Sequence, residues 1–206
     1  VHIMPSDSKH WDEIFSVKPE PSHGWYEDDV SQTMKFVDNI GLSSESTVFL
    51  PGVGTSLLVD ELMESGCKII VNDISHSALK KLEERVGKDR LEYMHHNIAT
   101  PFKNDIKADI WIDRAVLHFL LSEEEISCYF ENLMSSVKPS GYVLLAEFSN
   151  NGAKKCAGLE LHQYSIEEMQ TRLGDNFELV SSEEHLYMNP LNQPRPYIYG
   201  FFKRIK

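Results

Sequence analysis

The residues best placed to do chemistry are two glycines and an acid that follows them. Gly52 and Gly54 lie in the segment Val48-Phe49-Leu50-Pro51-Gly52-Val53-Gly54-Thr55-Ser56, between an apolar stretch of strand type and a helical pattern. A glycine turn at that place lets the backbone pass close to a ligand. Asp73 stands roughly 20 residues further on, just past a second apolar stretch, where a carboxylate accepts hydrogen bonds from ribose hydroxyls. The plainer readings are a glycine loop and a solvated acid. Position 57 is Leu rather than a third glycine, which tells against a dinucleotide pyrophosphate, and no GK[ST] element is present for a nucleotide's terminal phosphates. A nucleoside without phosphates fits the turn better.

A second group follows an apolar strand pattern at Asp109 to Ile112: Asp113, Arg114 and, a few residues later, His118. At the C-terminal edge of a strand, Asp113 is placed to orient a ligand, or else it is a structural loop acid. Arg114 reads as its partner or as an ordinary ion-paired surface cation. His118 reads first as a hydrogen-bonded core histidine and second as a group that reaches the site. Cys67, Cys128 and Cys156 form no CxxC pair, and with His95-His96 they supply no spaced set of metal ligands, so no metal site is expected. Cys156, His162 and Tyr164 fall after a later strand, where they line an acceptor pocket or simply pack.

The elements that must hold these residues alternate. Strand patterns at Thr47 to Leu50, Cys67 to Asn72, Leu91 to His95, Asp109 to Ile112 and Tyr142 to Phe148 are separated by helical ones at Ser56 to Ser65, Ser75 to Val86 and Ser122 to Val137. Ser122 with Glu125 and Ser165 with Glu168 are capping-box pairs that open helices, and Glu123-Glu124-Glu125 suits a helix N-terminus. Phe177 to Ser182 and Tyr197 to Lys203 close the chain as two strands with no helix between them. The expected fold is α/β: a doubly wound, mostly parallel seven-stranded sheet with one antiparallel edge strand, its ligands at the C-terminal strand edge. Residues 1–28 read as an N-terminal arm that could cover a ligand with Trp11, Trp25 and Tyr26, and residues 29–206 as a single domain.

The 206 residues suit one core. Thirty-two acidic against 20 basic residues give a formal charge of -12, which disfavours sequence-independent nucleic-acid binding. No apolar run approaches a membrane span, and the start lacks a leader pattern. Three scattered cysteines suit a reducing, cytoplasmic setting.

Taken together, Gly52-Val53-Gly54-Thr55-Ser56, Asp73-Ile74-Ser75, Asp113-Arg114-Ala115 and Lys138-Pro139-Ser140-Gly141 resemble the class I S-adenosylmethionine-dependent methyltransferases. More narrowly, Trp11, Trp25-Tyr26, the run Asp113 to Leu120 and Cys156-Ala157-Gly158-Leu159 look like a bacterial branch related to mitochondrial citrate synthase lysine methyltransferase. The resemblance implies S-adenosylmethionine as cofactor and a small molecule or a protein side chain as acceptor. It implies cofactor contacts from Trp25, Gly52, Gly54, Thr55, Asp73, Ile74, Asn97, Ile98 and Asp113, with Asp113, Arg114 and His118 nearest the chemistry. Leu50 stands where the family usually carries an acid, and Asn97 where it often carries an aspartate. These departures motivate an alternative, a non-enzymatic S-adenosylmethionine-binding or regulatory module; a nicotinamide-dependent oxidoreductase is a third reading.

Overall fold

A computed structural model describes residues 7–17 and 27–206. Trp25 and Tyr26 lie outside the described residues. A seven-stranded sheet runs in the order β3-β2-β1-β4-β5-β9-β8. Its parallel part is β1 (Thr47–Leu50), β2 (Lys68–Asp73), β3 (Glu92–His95), β4 (Ala108–Arg114) and β5 (Val137–Phe148). β9 (Pro194–Arg204) pairs antiparallel with β5, and β8 (Phe177–Met188) pairs antiparallel with β9. The single reversed strand is therefore one place in from the edge, and β8 is the edge. The chain reverses its winding between β1 and β4, and this switch point opens the crevice in which open α/β sheets bind ligands.

Alternation along the central strands builds two cores. Val48 and Leu50 of β1, with Ile110 and Ile112 of β4, face a layer made by α1 (Ser8–Val17), α2 (Ser31–Val37), α3 (Leu58–Met63) and α4 (His76–Val86). Phe49 and Trp111 face the opposite layer, made by α5 (Glu123–Ser136) and α6 (Ile166–Leu173). The Ser75, Ser122 and Ser165 side chains accept from the backbone N–H three residues on, so each expected helix start is capped as its sequence dictates. β4 extends through Arg114, two residues past the expected end. A two-stranded hairpin, β6 (Lys155–Cys156) with β7 (Leu159–Glu160), was not foreseen, because strands so short leave no periodicity.

α1 is amphipathic, with Trp11, Ile14 and Phe15 buried at spacings of three and four. Asp12 fastens it to the start of α4, accepting from Ser75 Oγ at 2.7 Å and from the Ser77 N–H at 3.1 Å. The helix is thereby held across the switch point.

Candidate active site

At the switch point lies a cavity. Its wall includes Gly52, Val53 and Thr55 after β1, Asp73 at the end of β2 with Ile74 beyond it, Asn97 and Ile98 after β3, and Arg114 at the end of β4 with Ala115 and Val116 beyond it. Trp11 and Phe15 of α1 also line it, with Phe119 and Leu120 adding to the apolar lining. Most of the cofactor residues expected from the sequence therefore meet in one place; Gly54 packs beside it, its Cα side facing the Phe15 ring.

The glycine turn is shaped for close approach. Gly52 has φ +51°, and a Cβ there would come within 2.5 Å of Val116 Cγ2, so any side chain would strike the cavity wall. Asn72, which follows the apolar run Ile69-Ile70-Val71 in β2, ties the neighbouring turns together. Its Oδ1 accepts from the Gly52 N–H at 3.3 Å, its Nδ2 donates to the His96 carbonyl at 2.9 Å, and its carbonyl accepts from the Val53 N–H at 2.8 Å. The polar residue closing Ile69-Ile70-Val71 was the overlooked signal for this role.

Asp73 accepts from the Gly54 N–H and the Ser75 N–H, both at 2.8 Å. Burial pushes its carboxyl up to about 6, and those two N–H donors restrain the rise. Each oxygen retains a lone pair, so the carboxylate can accept further hydrogen bonds from the cavity side. Asn97 has its Oδ1 engaged by the Ala99 N–H at 2.9 Å, and its amide nitrogen donates to none of the described residues.

The second cluster divides. Asp113 and His118 are fully buried and lie beneath the cavity wall rather than on it. Asp113 accepts from the Val116 N–H at 3.0 Å and the Leu117 N–H at 3.1 Å, and the Tyr129 hydroxyl donates to it while accepting from Trp111 Nε1 at 3.0 Å. Burial pushes Asp113 up to about 6. Glu147 of β5 faces it, and burial with the Asp113 charge holds Glu147 well above the carboxylate range, so Glu147 is the protonated member of the pair at neutral pH. His118 Nδ1 accepts from the Phe148 N–H at 3.1 Å, and burial, aided by the Arg114 charge, drives the imidazole down to about 3. His118 is thus a neutral core histidine, the first of its two sequence readings.

Arg114 does line the cavity, but its partner is not Asp113. Its Nε lies 3.1 Å from Glu27 Oε2, and its guanidinium packs on the rings of Tyr187 and Tyr197 at 4.9 and 4.8 Å. Glu27, also on the cavity wall, has no sequence signal beyond membership of an acidic run. Cys156 is buried, its thiol pushed up to about 11 by burial. His162, bonded to Glu168, and the buried Tyr164 lie off the cavity wall. Among the described residues no cluster of His, Cys, Asp or Glu could hold a metal ion, and no helix is long and apolar enough to cross a membrane.

Residues 50–145 match the family model described as a methyltransferase domain. The match spans a little under half of the chain, and over that stretch the chain is similar to methyltransferase domains. The fold is shared with solved structures at low identity. A methyltransferase from Anabaena variabilis is 13% identical with a TM-score of 0.77, over 99% of this chain and 96% of that one. The N-methyltransferase NodS from Bradyrhizobium japonicum, in complex with S-adenosylhomocysteine, is 14% identical with a TM-score of 0.72, over 97% and 100%. The 1,6-didemethyltoxoflavin-N1-methyltransferase of Burkholderia thailandensis, with that compound and S-adenosylhomocysteine bound, is 14% identical with a TM-score of 0.69, over 98% and 85%. No curated protein matches the chain, and the narrower likeness to the citrate synthase lysine methyltransferase branch finds no support.

The cofactor that the sequence resemblance implies is S-adenosylmethionine. The cavity suits it: a glycine with no room for a Cβ, a buried carboxylate with lone pairs to spare, and apolar walls with a few polar groups. Leu50 is buried in the core layer beneath α1 to α4 and does not line this cavity, whereas Glu27 brings a carboxylate to the wall from outside the sheet.

Proposed function

We propose that this protein transfers the methyl group of S-adenosylmethionine to a small-molecule acceptor by in-line displacement. When bound, the cofactor supplies an electrophilic methyl group on a sulfonium. The chain's own part is positioning and exclusion of water, which can account for much of the acceleration of such a reaction. In this reading Asp73 accepts from the ribose hydroxyls, Ile74 and Ile98 flank the adenine with Asn97 at its edge, and Thr55 with the glycine turn borders the methionine end. Asp113 acts at one remove: by holding the Val116 and Leu117 N–H groups it fixes the wall against which Gly52 packs. Trp11, Phe15 and Phe119 keep water out.

The observation that carries the reading is the convergence of Gly52, Asp73, Asn97 and Ala115 on one switch-point cavity roofed by α1. The roof also favours a small acceptor, since Trp11 and Phe15 of α1 line the cavity and narrow the space left for a bulky one. Calorimetry on cofactor-free protein should show saturable binding of S-adenosylhomocysteine. Incubation with methyl-labelled cofactor and, separately, metabolite extract or proteome should place label in a metabolite. Label confined to protein would overturn the small-acceptor reading, and no S-adenosylhomocysteine binding would overturn the whole.

A further inference from the structure

The cavity has two polar ends on opposite sides of β1. Toward β2 and β3 stand Asp73 and Asn97; toward β5, β9 and β8 stand Arg114 and Glu27. The Arg114 guanidinium leans toward this second end, because the rings it packs on belong to β8 and β9. Glu27 is paired there at 3.1 Å, and both side chains are close to 10% exposed (11% for Arg114 and 10% for Glu27). The aromatic side chains Trp11, Phe15 and Phe119 share the same cavity.

We propose that Glu27 binds the methyl acceptor, and that the acceptor is a nitrogen compound with an apolar body whose N–H donates to the Glu27 carboxylate. An acceptor that arrives as a cation gives up one N–H proton to Glu27 or to water. The freed nitrogen lone pair forms the new N–CH3 bond, and the breaking C–S bond leaves its electron pair on sulfur as the neutral thioether of S-adenosylhomocysteine. This rests on the methyltransferase reading and adds the acceptor's chemical class. Two features select that class. First, the described cavity wall carries two carboxylates, Glu27 and Asp73, against one guanidinium, within a chain of formal charge -12. An anionic acceptor would enter a field of its own sign. Second, the Arg114 charge is already matched by Glu27 and covered by tyrosine rings, so Arg114 serves as a positioning residue that fixes the carboxylate's direction. A carboxylate held by charge in a 3.1 Å ion pair has acceptor capacity beyond that pair, and an N–H is its complement.

The test uses wild-type protein and Glu27→Gln, each saturated with S-adenosylhomocysteine. The probes are benzylamine, tryptamine and benzimidazole, set against benzoate, indole-3-acetate and thiophenol and read by saturation-transfer NMR and calorimetry. The nitrogen probes should bind wild type and bind the variant about tenfold more weakly, while the acids and the thiol should not bind. S-adenosylhomocysteine affinity should stay within about twofold in both proteins, which also reports that the variant is folded. Glu27→Asp, which keeps the charge, should retain nitrogen binding and carries the comparison if Glu27→Gln does not fold. Binding of the acids or thiol, equal amine binding by wild type and Glu27→Gln, or no binding by any nitrogen probe would overturn the proposal. So would a variant weakened toward S-adenosylhomocysteine but unchanged toward 5′-methylthioadenosine, because that result assigns Glu27 to the cofactor's amino-acid end. Failure of wild type to bind S-adenosylhomocysteine would instead sink the methyltransferase reading.

Discussion

The turns after β2 and β4 carry carboxylates that look alike in the sequence and behave differently in the fold. Asp73 and Asp113 both stand at the ligand edge of a parallel strand, both accept two backbone N–H groups, and burial pushes both up to about 6. Asp73 nevertheless lines the cavity, while Asp113 lies under it, covered by Tyr129, Glu147 and the turn it supports. A buried acid at a strand end can thus serve the ligand or the scaffold. What distinguishes them is the company each keeps: among the described residues Asp73 is met only by backbone donors, whereas Asp113 also receives a phenol from α5.

This difference should appear most sharply in Asp113→Ala. It leaves the Val116 and Leu117 N–H groups and the Tyr129 hydroxyl without their acceptor, and should cost about 3–5 kcal/mol in urea unfolding. The folded fraction should still bind S-adenosylhomocysteine. Asp73→Ala should show the opposite balance, with affinity falling about a hundredfold by calorimetry (roughly 2.7 kcal/mol) and a smaller loss of stability. If the two variants lose stability and affinity in equal proportion, the division between ligand acid and scaffold acid is wrong.

Protonation sharpens the contrast. On the proposed reading ribose hydroxyls are held best by the ionised Asp73, so S-adenosylhomocysteine affinity should rise about tenfold per pH unit below pH 6 and level off above it. A flat profile would remove Asp73 from the ribose. The linked stability term has the reverse sign. An Asp73 pKa of about 6 in the fold, above the unfolded value near 3.9, gives stability that is present in full below pH ~4 and lost as pH rises through about 6. His118, lowered to about 3, contributes stability that is present above pH ~6.5 and lost as pH falls toward 3. Unfolding of Asp73→Asn followed across this range should lack the Asp73 limb and keep that of His118.

A smaller effect tests where the two turns touch. Gly52→Ala should destabilise by about 1–3 kcal/mol, through positive φ and the clash with Val116, and weaken S-adenosylhomocysteine binding. Adding Val116→Ala should restore part of the binding. No restoration would mean that the strained backbone, rather than the Val116 contact, accounts for the loss.

Local signals carried much of the fold. The serine caps at Ser75, Ser122 and Ser165 mark helix starts because the hydroxyl satisfies a nearby N–H whatever the tertiary context. β8 runs six residues past its expected end at Ser182, through Glu183-Glu184-His185. As an edge strand with solvent on its outer side it needs no apolar run there, so composition hid it. In the site, the residues of the β1, β2 and β3 turns were legible because each sits beside its strand in the chain. Asn72 was legible too, as a polar residue following an apolar run, and was overlooked.

The sequence by itself determined the alternation of strands and helices, the glycine turn and the acid that answers it across one crossover, since these depend on backbone freedom and periodicity within short stretches. Only the tertiary structure decided that Asp113 and His118 sink below the cavity floor and that Glu27 rises onto its wall. Those positions depend on how α1, α5 and the β8–β9 pair pack over the strand edge, bringing together side chains far apart in the chain, and no local pattern encodes which face of a turn a neighbour will cover.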